Sequence, residues 1–261
     1  MSVRETPWPL GTPCWPDLMC DDPRAAARTY ATLFGWEIEE GHDGYLLALR
    51  DGRRVAGIGP KPPTAPWPAV WTTYLAVDDT DRVAALEREH GAEQLLAPTD
   101  IPGQARIALL VDPAGAHHGL WQAGGLVGAE RYNEHGSLVW NELMVRDHEE
   151  AMGFYGEVFG HSYEVIEEDD GSFAYAQVVT ADERLVCGLG RLGDEYGDQF
   201  RPHWMTYFMS DVPAATVSAV QRLGGRVLMD VVDGPFGQLA VLEGPQGEVF
   251  SVIRPDHVDE D

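Results

Sequence analysis

The sequence is poor in basic residues. Its 18 lysines and arginines are outnumbered by 43 aspartates and glutamates, which leaves a formal net charge of −25. Because such a surface repels phosphate backbones and anionic headgroups, the composition predicts no nucleic-acid partner and no membrane partner. Acidity of this kind commonly serves solubility, and by itself it does not argue for a cationic substrate.

Cysteines and long apolar runs are also scarce. The three cysteines, Cys14, Cys20 and Cys187, show no CxxC spacing, and Cys14 and Cys20 lie too far apart along one predicted strand to form a disulfide. We therefore expect reduced thiols and a cytoplasmic protein. No apolar run reaches about 18 residues and the first residues lack the apolar core of a signal peptide, so we expect no transmembrane helix.

The sequence does contain an internal repeat. Residues Gly11–Trp36 match Gly136–His161 at a constant offset of 125, with Trp15 opposite Trp140 and the acid Asp17 opposite Glu142. Two further pairs of segments match at offsets of 133 and 132, namely 71–95 with 204–228 and 106–122 with 238–254. The repeat predicts two copies of one domain, residues 10–124 and 135–256, joined by a linker at 125–134.

Each domain in turn consists of two similar half-units. A short alternating strand, such as WPDLMC or TYLAV, precedes an aspartate and an alanine-rich amphipathic helix, and three more strands follow. Aspartates are expected to cap the helices, and glycines to end them in a left-handed conformation. The expected caps are Asp22, Asp78 or Asp79, Asp147 and Asp211, and the expected glycines are Gly35, Gly91, Gly160 and Gly224. The sequence thus predicts an α+β fold of four βαβββ half-units.

Several segments of this pattern resemble a known family. The helix ends TYATLFGW and FYGEVFG and the strand ends DPAGAHHGLWQ and GPQGEVFSVI resemble the vicinal oxygen chelate superfamily of glyoxalases, bleomycin-resistance proteins and extradiol dioxygenases. GTPCWPDL, WTTYLAVDD and HWMTYF are similar to two-domain actinobacterial members described as glyoxalase-like proteins or hydroxylases. The resemblance implies two curved-sheet cups, one per domain. It does not fix the reaction, because members of one fold differ in chemistry.

The resemblance also indicates where a metal would be held. In metal-bearing members, a His on the first strand of a domain, a His or Gln on the fifth and a Glu on the last strand bind the ion. The matching positions here are Trp15, Thr72 and Gly119 in the first domain, and Trp140, Met205 and Ser251 in the second. None of these is a standard ligand for a divalent metal, so we expect no metal and no cofactor. A displaced site that uses Asp17, His117 and a third group remains an alternative.

Strand alternation predicts what lines the cups instead. In each domain the tryptophan, the acid two residues later and the methionine after that share the face of the lost His. The candidate acid–base groups are Asp17 with His117, and Glu142 with Tyr207. The candidate ligand contacts are Trp15, Met19, Trp71, Thr72, Tyr74, Arg106 and Trp121 in the first domain, and Trp140, Met144, His203, Trp204, Met205, Gln238 and Ser251 in the second. A mostly apolar cup with few polar groups is typical of small-molecule sites.

Structural interpretations of the same residues stay open. Trp15 and Trp140 could close cups too small for any ligand. Asp17 and Glu142 could be buried structural acids, hydrogen-bonded to Tyr74 and Tyr207, because a buried carboxylate requires such partners.

Three functions follow from these observations. The first is a metal-independent protein, monomeric or homodimeric, that binds an aromatic or polyketide-like metabolite or antibiotic. The second is an acid–base enzyme that uses the cup carboxylates for a hydroxylase-, isomerase- or lyase-type step. The third and least favoured is a glyoxalase-type metalloenzyme with displaced ligands.

Overall fold

A computed structural model describes residues 2–62, 67–168, 173–193, 197 and 200–257. The elements of the first domain are β2 (Pro13–Cys20), α1 (Pro23–Phe34), β3 (Glu37–Glu40), β4 (Leu46–Arg50), β5 (Arg53–Pro60), β6 (Val70–Ala76), α2 (Thr80–Glu89), β7 (Glu93–Ile101), β8 (Ala105–Val111) and β9 (His117–Ala123). Those of the second are β11 (Leu138–Val145), α3 (His148–Phe159), β12 (Ser162–Glu167), β13 (Phe173–Val179), β14 (Leu185–Arg191), β15 (His203–Met209), α4 (Pro213–Arg222), β16 (Arg226–Gly234), β17 (Gly237–Glu243) and β18 (Val249–Pro255). Two short strands, β1 (Ser2–Val3) and β10 (Arg131–Tyr132), pair with each other. The predicted four βαβββ half-units are confirmed.

Each domain contributes one curved sheet. The strand orders are β3-β4-β5-β2-β6-β9-β8-β7 and β12-β13-β14-β11-β15-β18-β17-β16, so the two sheets have equivalent topologies. In both, the first strands of the two half-units pair antiparallel at the centre, β2 with β6 and β11 with β15. These central strands carry the acids that the sequence singles out.

Local signals start and end the helices largely as predicted. Asp22, Asp79 and Asp147 each accept a hydrogen bond from a backbone N–H of the first helical turn. The expectation for Asp211 is wrong, because α4 begins after Val212 without a side-chain cap and has Pro213 in its first turn. The four glycines that follow the helices all have positive φ angles: Gly35, Gly91, Gly160 and Gly224.

The helix-bearing faces of the two sheets pack against each other. One core cluster combines α1 residues such as Tyr30 and Phe34 with Val220 of α4 and Phe250 of β18. A second cluster combines the α2 half-unit with the α3 half-unit. Each core therefore draws on both domains, and the concave faces of the sheets are turned outward.

Two equivalent hydrogen-bond chains cross this domain interface. The indole of Trp71 donates to the hydroxyl of Tyr30 (2.9 Å), which donates to the carboxylate of Glu248 in the other domain (3.1 Å). The matching chain runs from Trp204 to Tyr155 (3.0 Å) and on to Asp112 (2.9 Å).

Asp112 and Glu248 lie at opposite ends of equivalent turns in the two domains. A Cβ added at Gly244, which aligns with Asp112, would lie 2.1 Å from Oε1 of Glu248. The carboxylate of Glu248 therefore fills the space that the aspartate side chain occupies in the other domain. Among the described residues, none of the four helices is both long and apolar enough to cross a lipid bilayer.

The shared cores predict that the two domains unfold together. Replacing Tyr30 by Phe leaves the indole N–H of Trp71 and an oxygen of Glu248 without a buried partner, which costs about 1–3 kcal/mol. Tyr155→Phe should cost a similar amount and should shift the same single transition in urea.

Thr32→Ala is the control for Tyr30→Phe, because this exposed hydroxyl bonds only to a carbonyl of its own helix. Its effect should stay within about 0.5 kcal/mol. Two separate transitions, each sensitive to only one tyrosine, would contradict the interlocked cores.

Candidate functional site

The concave face of each sheet presents an acid among aromatic side chains. We call the face around Asp17 the first cup and the face around Glu142 the second cup. Strand alternation directs both acids away from the helices, because their neighbours Leu18 and Leu143 lie in the helix-side cores. In the structure both acids therefore point to the cup side of their sheets.

In the second cup, tyrosine hydroxyls hold both carboxylate oxygens of Glu142. Tyr175 donates to Oε1 at 2.9 Å and Tyr207 donates to Oε2 at 2.5 Å. The indole of Trp140 donates in turn to the hydroxyl of Tyr175 at 3.1 Å. The result is a tetrad of one acid, two tyrosines and one tryptophan.

The first cup repeats this tetrad more loosely. Trp15 donates to the hydroxyl of Tyr45 at 3.3 Å, and Tyr74 donates to Oδ2 of Asp17 at 3.4 Å. The other oxygen of Asp17 is buried and has no hydrogen-bond partner among the described residues. The shorter aspartate thus reaches its donors less well than Glu142 does.

Glycines on the neighbouring strand make room for the second tyrosine of each tetrad. A Cβ at Gly57 would lie 1.7 Å from the hydroxyl of Tyr45, and one at Gly188 would lie 1.7 Å from the hydroxyl of Tyr175. Sequence reasoning missed both tyrosines. The signal that could have found them is the repeated VxGxG strand, VAGIG in the first domain and VCGLG in the second, since glycine in a strand often marks close approach by another group.

Burial dominates the titration of both acids. Loss of hydration raises the pKa of Asp17 to about 7, although hydrogen bonds from Tyr45 and Tyr74 oppose the rise. Burial likewise raises the pKa of Glu142 above its usual range, against the opposing effect of hydrogen bonds that involve Tyr207, Tyr175 and Trp140. Both acids are therefore able to exchange a proton closer to neutral pH than an exposed carboxyl group.

The two cups differ in how far they are filled. In the first, the ring of Trp121 lies 5.4 Å from that of Trp15 and 5.8 Å from that of Tyr74, and Trp15 is only 1% exposed. The indole of Trp121 is held by a hydrogen bond to the carbonyl of Leu126, a buried residue of the segment between the domains. This segment is thus more than a linker, because it helps to close the first cup.

The second cup carries Ile253 where the first has Trp121. Trp140 and Glu142 are accordingly part-exposed, whereas Trp15 and Asp17 are buried. The structural interpretation, in which aromatic side chains close the cup, fits the first cup. The second tetrad is thus less covered than the first, which makes the second cup the better candidate for a ligand site.

The residues at the family's metal positions do not fit a divalent ion. Indole, methyl, thioether and hydroxyl groups line those positions, and within the described parts of the chain no three His, Cys, Asp or Glu side chains come together. Glu142, the acid nearest these positions in the second cup, already has both oxygens bonded to hydroxyls.

Two predicted ligand contacts lie on the wrong face of the sheet. Trp71 and Trp204 belong to the helix-side cores, where their indoles donate to Tyr30 and Tyr155. An aromatic residue next to a cup-facing residue points away from the cup, and these two serve the domain interface instead.

Arg106 and Gln238 are also turned away from the cups. Arg106 forms ion pairs with Asp81 at 2.7 Å and Asp100 at 2.8 Å, and Gln238 donates to Asp233 at 2.9 Å. Along their strands, both residues alternate in step with buried residues of the helix-side cores, so both lie on the helix side of the sheet. Their assignment as ligand contacts is therefore wrong.

The predicted pairing of His117 with Asp17 is not found. His117 is exposed at the start of its strand, and the groups that act on the carboxyl of Asp17 are the tyrosines. Its neighbour His118 is fully buried on the helix side, where its Nε2 lies 3.0 Å from Glu87.

The remaining candidates lie on the cup faces. Among them, the Oγ of Ser251 is buried with no hydrogen-bond partner in the described structure, and Ser251 pairs in register with Tyr207. His203 starts a central strand at the rim of the second cup, and burial lowers its pKa. The others are Met19, Thr72, Met144 and Met205.

The raised pKa of Asp17 predicts a pH-dependent stability. The folded protein holds this proton more tightly than the unfolded chain, so the stability present below pH 4 is lost as the pH rises towards about 7. The loss is on the order of 4 kcal/mol. Asp17→Asn should match the parent protein near pH 4 and exceed it in unfolding free energy near pH 8, as measured by urea titration. Equal pH profiles for the two proteins would contradict the burial of an ionisable Asp17, and the exposed Asp78→Asn serves as the control.

Comparisons with known proteins agree with this geometry. Residues 137–252 match the family model of the glyoxalase/bleomycin resistance protein/dioxygenase superfamily. A Mycobacterium tuberculosis protein named "Putative glyoxylase CFP32" is 36% identical, with 94% of this chain and 95% of the relative covered. The anthracycline biosynthesis protein DauV of a Streptomyces species is 33% identical, with 94% and 93% covered.

Solved structures show the same fold at low sequence identity. Homoprotocatechuate 2,3-dioxygenase from Brevibacterium fuscum superimposes with a TM-score of 0.66 at 15% identity, over all of this chain and 85% of that chain. The 2,3-dioxygenase LapB from Pseudomonas gives a TM-score of 0.64 at 14% identity, over 96% and 95% of the two chains. This chain belongs to the glyoxalase/bleomycin resistance protein/dioxygenase superfamily.

Proposed function

We propose that this protein binds a planar, polyketide-type aromatic molecule in its second cup. The observation that carries the proposal is the position of Trp121 in the first cup, where its ring packs against Trp15 and Tyr74. In the second cup Ile253 stands at the position of Trp121, and Trp140 and Glu142 are part-exposed. Aromatic rings at such spacing contribute specific affinity beyond their buried area.

The rim of the second cup is suited to an apolar ligand. Phe236 at the β16–β17 turn is 42% exposed and its ring lies 5.7 Å from that of Tyr175. Met229 and Val232, which pair with the cup-facing Val241 and Leu239, are also exposed. Exposed apolar groups around a concave surface mark a binding site.

The relatives support the class of ligand. DauV carries the name of anthracycline biosynthesis, and anthracyclines are fused-ring aromatic molecules. A flat ring system of this kind matches the slot that an indole ring occupies in the first cup.

Binding without turnover and acid–base catalysis both fit the site. Catalysis is the second candidate, favoured by the raised pKa of Glu142 and by its two hydroxyl partners, because such an acid is suited to transfer a proton to or from a bound ligand. Ligand recovered unchanged after long incubation supports binding alone. Product whose formation Glu142→Gln abolishes supports the enzyme.

Exchanging the two equivalent cup residues tests the binding site. Ile253→Trp should fill the second cup and weaken binding of 2-(hydroxymethyl)anthraquinone, a neutral planar probe, by about tenfold or more. Quenching of tryptophan fluorescence measures the affinity, with a correction for the added indole.

Trp121→Ile is the matched control, because it changes the first cup and leaves the second intact. Binding that survives Ile253→Trp but is lost in Trp121→Ile would place the ligand elsewhere. Thermal melting of both variants shows that each is folded.

We also propose that binding needs no metal, since the cup residues are poor ligands for divalent ions. Dialysis against EDTA should therefore leave the affinity for the same probe unchanged. Loss of binding in EDTA, with recovery on adding zinc or iron, would overturn metal independence.

A further inference from the structure

No cation from the described part of the chain accompanies the part-exposed carboxylate of Glu142. Among the described residues, the groups that act on its pKa are Tyr207, Tyr175 and Trp140, and none of them carries a positive charge. A charged group removed from water is stable only when a counter-charge or enough hydrogen bonds replace its hydration. Two hydroxyl bonds supply part of this replacement, and the raised pKa shows that the replacement is incomplete.

The side chains around Glu142 are those that bind cations. Trp140, Tyr175 and Tyr207 place three aromatic residues around one acid, and Glu142 is part-exposed. Aromatic rings attract ammonium groups through their negative faces, most strongly when water is excluded. Asp17 has the same kind of neighbours, but it is buried beneath a filled cup.

We propose that the second cup selects an aromatic ligand that carries a protonated amine, and that this amine pairs with the carboxylate of Glu142. The proposal rests on the proposed function and specifies its ligand class. The amine supplies the missing counter-charge, and the net charge of −25 attracts such a ligand to the protein. Acidity alone does not point to a cationic ligand, but an accessible acid enclosed by aromatic rings does.

The groups that face Glu142 stay uncharged at neutral pH. Burial and the charge of Glu142 both raise the pKa of Tyr175 on β13, and Cys187 on β14 points to the helix-side core. Tyr207 on β15 donates its hydroxyl to the carboxylate, and burial lowers the pKa of His203, so that the imidazole stays neutral. Within the described part of this cup, a ligand cation therefore meets Glu142 as its opposite charge.

A pair of matched probes tests the proposal. 2-(Aminomethyl)anthraquinone and 2-(hydroxymethyl)anthraquinone differ only in the charged group. At neutral pH and physiological salt, the amine should bind about tenfold or more tightly than the alcohol. Glu142→Gln should remove this preference while binding of the alcohol persists, and the buried Asp17→Asn should leave the preference unchanged.

Each other outcome has a definite meaning. Equal affinities for the two probes overturn the cationic ligand and leave the proposed function standing. A preference that Glu142→Gln retains also overturns it, since surface charge then accounts for the attraction. Failure of both probes to bind counts against the proposed function and the inference alike.

Proton release provides a test that needs no variant. Pairing with an amine lowers the pKa of Glu142, so at a pH where this carboxyl is part-protonated, binding should release a fraction of a proton for the amine probe and none for the alcohol. Titration calorimetry in two buffers of different ionisation enthalpy measures this release. Equal values for the two probes would overturn the pairing even if Glu142→Gln failed to fold.

Discussion

A carboxyl group at the floor of an aromatic cup, with tyrosine hydroxyls in place of water, is the constraint on which this molecule depends. Removing a carboxylate from water costs several kcal/mol unless hydrogen bonds replace its hydration. The donors to Glu142 come from β13 and β15, which lie on opposite sides of its own strand. The residues next to Glu142 on its own strand point to the other face of the sheet, so they cannot supply these donors. That arrangement requires glycine at Gly188, where any side chain would collide with Tyr175. One acid thus fixes residues on three neighbouring strands.

The residues that hold the two domains together are different from those that hold the cup acids. Both helix-side cores draw on both domains, and equivalent tryptophan–tyrosine–acid chains cross between them. The cups take no part in these cores, so the side chains that cover each cup can differ without disturbing the domain interface. Trp121 and Leu126 fill the first cup, whereas the second has Ile253 at the position of Trp121 and leaves Trp140 and Glu142 part-exposed. The two copies thus share one scaffold and differ in how far their cup tetrads are covered.

Much of this arrangement is predictable from the sequence. The repeat and the helix signals give the half-units, and strand alternation places Glu142 in a cup. Strand alternation also predicts that Thr72 and the adjacent Trp71 point to opposite faces of the sheet. No local sequence signal shows that the buried indole of Trp71 needs a distant tyrosine as its hydrogen-bond partner. The donor Tyr175 lies on β13, two strands away from Glu142, so only the paired glycines of VCGLG on the strand between them hint at it. The closure of the first cup depends on a segment between domains, whose packing no periodicity reveals.

The central claim is that the second cup is a ligand site of which the first is a filled copy. A crystal structure of the protein soaked with 2-(hydroxymethyl)anthraquinone tests this claim most directly. The account predicts the ring system between Trp140 and Tyr207, above Glu142, with Trp121 unmoved in the first cup. A ring system in the first cup in place of Trp121, or bound only outside both cups, would contradict it.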